Sequence, residues 1–137
     1  MSQRDTVPRL LGYGVSAVRF AVSGMFAVQP GATMTRLYGD KASQSRYAGL
    51  AAGHFVLRDL LLGIGLLRAL RSGRNARGWM LAGTLADVFD LGVIAALQPD
   101  RARRAQLLLG MTAIVSTDAV LTALLRDAPI PVGTDRG

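Results

Sequence analysis

Six charged side chains sit in the middle of long apolar runs: Arg19, the adjacent pair Arg58 and Asp59, Asp87, Asp90 and Asp118. The chain's only histidine, His54, lies one helical turn before Arg58. Each charge at a bilayer centre costs ~2.5–3.5 kcal/mol on insertion scales, so such groups face inward and pair with each other or with water. Arg19 and Arg58 carry two positive charges, whereas Asp59, Asp87, Asp90 and Asp118 carry four negative ones if all are ionised. Even with His54 protonated, one negative charge is left over. A crowded carboxylate in a low-dielectric site keeps its proton, so at least one of these aspartates is expected to be protonated near neutral pH. A neutral carboxyl beside Arg-held carboxylates separates an acid from a base. That combination suits proton donation to an epoxide or alkene, followed by proton removal or activation of water.

Four hydrophobic segments position these groups. They run from about Leu10 to Val28, Tyr47 to Leu70, Gly78 to Leu97 and Ala105 to Leu125. Each has about the length that crosses a ~30 Å hydrocarbon core at 1.5 Å per residue. Pro30 and Pro99 follow the first and third segments, and Pro129 and Pro131 follow the fourth, as helix stops. Short connections join the second, third and fourth segments and imply antiparallel neighbours. The first connection is longer, and in GATMTRLYGD it carries Met34, Leu37 and Tyr38 at helical spacing beside Arg36, which predicts a short amphipathic helix at the interface. Tyr47 and Trp79 fall near segment ends, where interfacial aromatics belong. The expected fold is an all-α antiparallel bundle of four transmembrane helices, with residues 1–137 as a single integral-membrane domain. A soluble bundle would show a polar stripe over about half of each helix, and runs such as LLLGM and LGVIAAL leave little room for one. The first segment is read as a retained helix rather than a signal peptide, because its apolar region is too long and no small-residue cleavage site follows.

Helical geometry groups the polar side chains. His54 and Arg58 are four residues apart and share a face, as do Asp87 and Asp90 with Thr84. Ser16, Arg19 and Ser23 make a stripe on the first helix, and Asp118 with Thr122 another on the fourth. Gly49 and Gly53 are placed to let the second helix approach a neighbour closely.

Composition narrows the function further. Half of the 137 residues are hydrophobic and 18% are charged, more apolar than an average soluble domain. There is no cysteine, which removes disulfides, thiolate nucleophiles and dithiol redox chemistry. One histidine with no cysteine or glutamate is a thin ligand set, and neither a metal nor any other cofactor is expected. The net charge of +7 comes from arginines that punctuate apolar segments, a pattern that suits anionic lipid headgroups and not nucleic acid. On the side of both termini stand Arg4, Arg9, Arg68, Arg71, Arg74, Arg77, Arg126 and Arg136, against Arg36, Lys41, Arg46, Arg101, Arg103 and Arg104 on the other. This balance favours cytoplasmic termini. The excess of arginine, alanine, leucine and glycine is typical of a GC-rich bacterial genome, and the expected location is a bacterial cytoplasmic membrane.

The order of AVQPGATMTRLYGD, RDLLLGIGLL, a basic turn and LAGTLADVFDLGVIAAL resembles a family of small four-helix bacterial membrane proteins of unknown function, from about Val18 to Leu125. The resemblance implies fold and membrane location, with the Arg58–Asp59 pair and an aspartate in helix three as its most specific elements, and it implies no activity.

The chemistry points first to an enzyme that performs cofactor-free acid–base reactions on a lipophilic small molecule from the bilayer. Epoxide opening, cyclisation, isomerisation or hydration would qualify, by analogy with the chemistry of membrane terpene cyclases. Asp87 or Asp90 is the expected acid, Asp59 and Asp118 the base or the arginine partners, Arg19 and Arg58 the charge holders, and His54 a proton relay. The alternatives are a structural or assembly subunit and a small proton-coupled transporter. A transport path through so narrow a bundle would need a homodimer.

Overall fold

A computed structural model describes residues 3–125, with side chains from Thr6 onward. Arg126, Pro129, Pro131, Arg136 and the side chain of Arg4 lie outside the described residues. Among the described residues six helices follow one another: α1 (Gln3–Val28), α2 (Pro30–Tyr38), α3 (Asp40–Ser43), α4 (Ala48–Ser72), α5 (Ala76–Leu97) and α6 (Arg101–Leu124). Four of them are long and apolar enough to cross a membrane: α1 from Thr6, α4, α5 and α6. The architecture is that of an all-helical, multi-pass membrane protein with a short amphipathic helix between its first and second spans.

Helix ends follow local chemistry. α1 starts about two turns earlier than its apolar run, with Pro8 inside it, and it ends where Pro30 opens α2. α4 stops at Gly73, which takes the left-handed conformation at φ 70°, and its amide donates back to the Ala69 carbonyl. Asn75 is also left-handed, at φ 59°, so the chain reverses within three residues and brings α5 back along α4. The Arg9 guanidinium donates to the Leu70 carbonyl, placing a cation at the negative end of the α4 dipole. α6 also starts earlier than its apolar run. Its N-cap is Asp100, whose side chain accepts from the Arg103 amide at 2.9 Å.

The spans pair as α1 with α4 and α5 with α6, α4 meets α5 less extensively, and α1 barely meets α6. Close approach comes from glycines other than Gly49 and Gly53, whose surroundings are open. The expectation for those two is therefore corrected. Gly63 seats the Phe20 ring, 2.8 Å from where a Cβ would stand, and Gly65 seats the Trp79 indole still more tightly. Trp79 thus packs against the core rather than marking a free interface, while Tyr47 is exposed under the Arg46 guanidinium. Filling the Trp79 seat forces the indole or the α5 backbone to move. Overpacking costs about 1–3 kcal/mol, so Gly65→Val is expected to lower the thermal midpoint in detergent, followed by circular dichroism. Gly49→Val, with nothing to collide with, is expected to leave it nearly unchanged.

Two apolar cores form. One surrounds Leu66, Leu70, Met80, Leu121 and Leu125 at the α4–α5 turn. The other surrounds Phe26, Met34, Tyr38, Ala52 and Ile94 at the opposite end. On α4 the series Ala52, Asp59, Leu66 and on α5 the series Met80, Asp87, Ile94 step by seven residues along one buried face. Each aspartate therefore falls between the two cores.

Candidate functional site

The layer between the cores is a chain of ion pairs. Arg19 comes from α1 and is 7% exposed. Its Nη1 donates to Asp59 Oδ1 of α4 at 3.2 Å and to Asp87 Oδ1 of α5 at 3.4 Å, and its Nη2 donates to Asp87 Oδ2 at 2.6 Å. The guanidinium so holds Asp87 with both of its outer nitrogens, the fork geometry that a lysine cannot copy. Gly83, one turn before Asp87, leaves the space: a Cβ there would lie 2.5 Å from Arg19 Nη2. Arg58 of α4 continues the chain. It donates from Nη1 to Asp90 Oδ1 at 2.8 Å and from Nη2 to both oxygens of Asp59 at 3.2 and 3.3 Å. Asp59 therefore bridges the two arginines.

Asp118 of α6 stands apart. Its Oδ2 lies 3.5 Å from Arg19 Nη2, within ion-pair range. Yet that oxygen is buried without a hydrogen-bond partner. Arg19 Nη2 sits 0.9 Å closer to Asp87 (2.6 against 3.5 Å). Four carboxyls thus meet two guanidiniums, and Asp118 Oδ2 is the carboxyl oxygen left buried without a hydrogen-bond partner.

The neighbouring hydroxyls do not make up the shortfall. Thr84 and Thr122 donate to carbonyls of their own helices, Met80 and Asp118 respectively, and Ser23 donates to the Val56 carbonyl. Ser16 Oγ is buried without a partner.

A cavity of about 430 Å³ ends on this layer and touches all six charged residues, within the roughly 300–1,000 Å³ of small-molecule sites. Its wall is Val15, Val18 and Val22 of α1 on one side and Met111, Ala113, Ile114 and Thr117 of α6 on the other. Val18 and Ile114 are 58% and 45% exposed, so they are the lips of a crevice between the two spans that hardly touch. Both lips lie midway along helices long enough to span a membrane, so the crevice faces out from the side of the bundle.

The end nearer the first connection is closed by α2. Leu37 and Tyr38 line the cavity there with Phe26 and Phe55. The Phe55 ring stacks on Phe26 and Tyr38 at centroid distances of 4.8 and 5.7 Å, and the Arg58 guanidinium sits 5.0 Å over it. Gln98, 2% exposed, ties this plug down by donating to the Leu37 carbonyl at 3.1 Å. Burial first, and then the Asp90 carboxylate, push the Tyr38 phenol well above the ordinary tyrosine range, so it remains a neutral donor. No family model, no curated protein and no solved structure matches the chain. The resemblance read from the sequence thus reduces to its coarse content, a membrane protein of four apolar spans.

Of the residues singled out in the sequence, Arg19, Arg58, Asp59, Asp87, Asp90 and Asp118 come together. His54 does not. It is exposed, and its ring meets the edge of Phe55 with centroids 6.0 Å apart. Among the described residues, no group of three His, Cys, Asp or Glu side chains is arranged to hold a metal ion. Tyr38, Phe26 and Phe55 also line the cavity, and the sequence does not mark them as site residues. Tyr38 carried a signal, its helical spacing with Met34 and Leu37, but that spacing says which residues share a face and not what the face covers.

Proposed function

We propose that this protein is a membrane-embedded enzyme that takes a lipophilic small molecule from the bilayer and transforms it by acid–base chemistry. Epoxide opening, cyclisation, isomerisation or hydration are the reaction types that need only a proton donor and a proton acceptor. One observation carries the reading: an apolar cavity that opens between α1 and α6 and ends on four carboxyls and two guanidiniums. Buried ionic networks are weak stabilisers, so a layer of this kind that also lines an open cavity is better explained by use than by packing.

The roles divide by hydrogen bonding. Asp87 and Asp90, each directly held by an arginine, and Asp59, shared by both, are the ionised carboxylates. Asp118, with no donor on Oδ2, holds the proton and faces the cavity, so the acid moves from Asp87 or Asp90, favoured by the sequence, to Asp118. Asp90, at the aromatic end, is the base that receives a proton from the reacting molecule. Exposed His54 takes no part. The cavity favours this reading over a purely structural subunit, for which a closed core would suffice. The surplus of carboxyls also suits a small proton-coupled transporter, which would move its cargo unchanged.

The test is to incubate proteoliposomes with epoxidised and prenylated lipophiles and follow products by mass spectrometry. Turnover is expected in the wild type, with loss of at least about a hundredfold in Asp118→Asn, the scale of one general acid. Undiminished turnover in that variant would overturn the assignment, and flux of an unchanged compound coupled to pH would favour the transporter.

A further inference from the structure

The charge balance of the cavity bears on what it binds. Arg19 from α1, Arg58 and Asp59 from α4, Asp87 and Asp90 from α5, and Asp118 from α6 sum to minus two when every group is ionised and to minus one when Asp118 holds a proton. A bound monocation beside ionised Asp118 restores the same minus one. Exchange of the proton for the cation is therefore neutral for the layer, whereas a bound anion would add to a surplus that burial already penalises.

Two observations place the cation. Asp118 is 3% exposed and lines the cavity, with Oδ2 unpartnered. The walls next to it, Val15, Val18 and Ile114, are aliphatic and suit an alkyl chain.

We propose that the cavity is a binding site for a lipophilic monocation, such as an alkylammonium, which enters between α1 and α6 and replaces the proton on Asp118. The inference rests on the assignment of that proton to Asp118 but not on catalysis. In the enzymatic reading, the same preference would stabilise a substrate on which positive charge develops. A failure to find turnover would remove the enzyme and leave the binding site standing.

The probe is decyltrimethylammonium, permanently charged, compared with decanol. Calorimetric titration into nanodiscs of zwitterionic phosphatidylcholine that carry the wild-type protein is corrected with empty nanodiscs. The cation is expected to bind about tenfold or more tightly than the alcohol, the scale of one charged partner. One proton should be released per cation, read from the dependence of the heat on the buffer's ionisation enthalpy. Asp118→Asn should reduce the cation's affinity to that of decanol. Equal binding of the two probes, binding without proton release, or an unchanged preference in a folded Asp118→Asn protein would each overturn the proposal. Where that variant fails to fold, the first two measurements decide on the wild type alone.

Discussion

Arg19→Met is expected to cost about 3–5 kcal/mol, the range for stripping one member from a buried ion pair, and to be seen as a fall in the thermal midpoint and in the yield of monodisperse protein in a mild detergent. Arg19 is the centre of the layer, within 3.5 Å of carboxylate oxygens on Asp59, Asp87 and Asp118. Three of the four spans therefore converge on a fourth through one side chain. Without it, Asp59 still has Arg58, but the buried Asp87 carboxylate loses the guanidinium that holds it. Arg19→Lys is expected to recover only part of the loss, because a point charge on a flexible stem cannot hold Asp87 from two nitrogens and still reach Asp59. The decisive comparison is Arg19→Met combined with Asp87→Leu. Buried ion pairs replaced whole by apolar residues are often neutral or stabilising, so the double variant should be more stable than Arg19→Met alone. If it were less stable, the two residues would not act as a pair.

The parts of this structure legible in the sequence are those set by the bilayer. Span length follows from hydrocarbon thickness, and the depth of a charge follows from its position in the run. Both are one-dimensional quantities, so Arg19, Asp59, Asp87 and Asp118 could be assigned to one layer from spacing alone. Rotation about the helix axis is harder to read, and His54 shows why. At about 100° per residue, it lies only about 40° from Arg58 but about 140° from Asp59. The buried face of α4 is centred on Asp59, with Ala52, Gly63 and Leu66 around it. Arg58 starts off that face and reaches back with its long side chain, whereas His54 has no such reach and stays outside. The glycines misled in a related way. Gly49 and Gly53 have the spacing of a close-contact motif, but contact needs a partner, and the rings that fill the glycine seats belong to Phe20 and Trp79 beside Gly63 and Gly65. The shape of the cavity was not legible at all, because it arises from two helices that fail to pack against each other.

Asp118→Asn and Asp87→Asn, chemically the same change one span apart, are expected to have unequal consequences. Asp87 is the carboxylate that Arg19 grips at 2.6 Å with both outer nitrogens engaged. An asparagine there keeps the shape and loses the charge, so a buried guanidinium is left under-compensated, at a cost of about 3 kcal/mol. Asp118, if it carries the proton, is already neutral. Asparagine is close to its isostere and sits where Oδ2 accepts no hydrogen bond. Its substitution should cost clearly less than Asp87→Asn, because no charge is removed and no hydrogen bond to Oδ2 is lost. The proton itself can be read by infrared difference spectroscopy. The wild type should show the carbonyl stretch of a protonated carboxylic acid, and Asp118→Asn should lack it. The band's survival in Asp118→Asn would place the proton on another member of the layer. Equal destabilisation by both variants would mean that Asp118 is ionised and shares Arg19 with Asp87. A layer with all four carboxylates charged would then need a cation beyond its two arginines even when no molecule occupies the cavity.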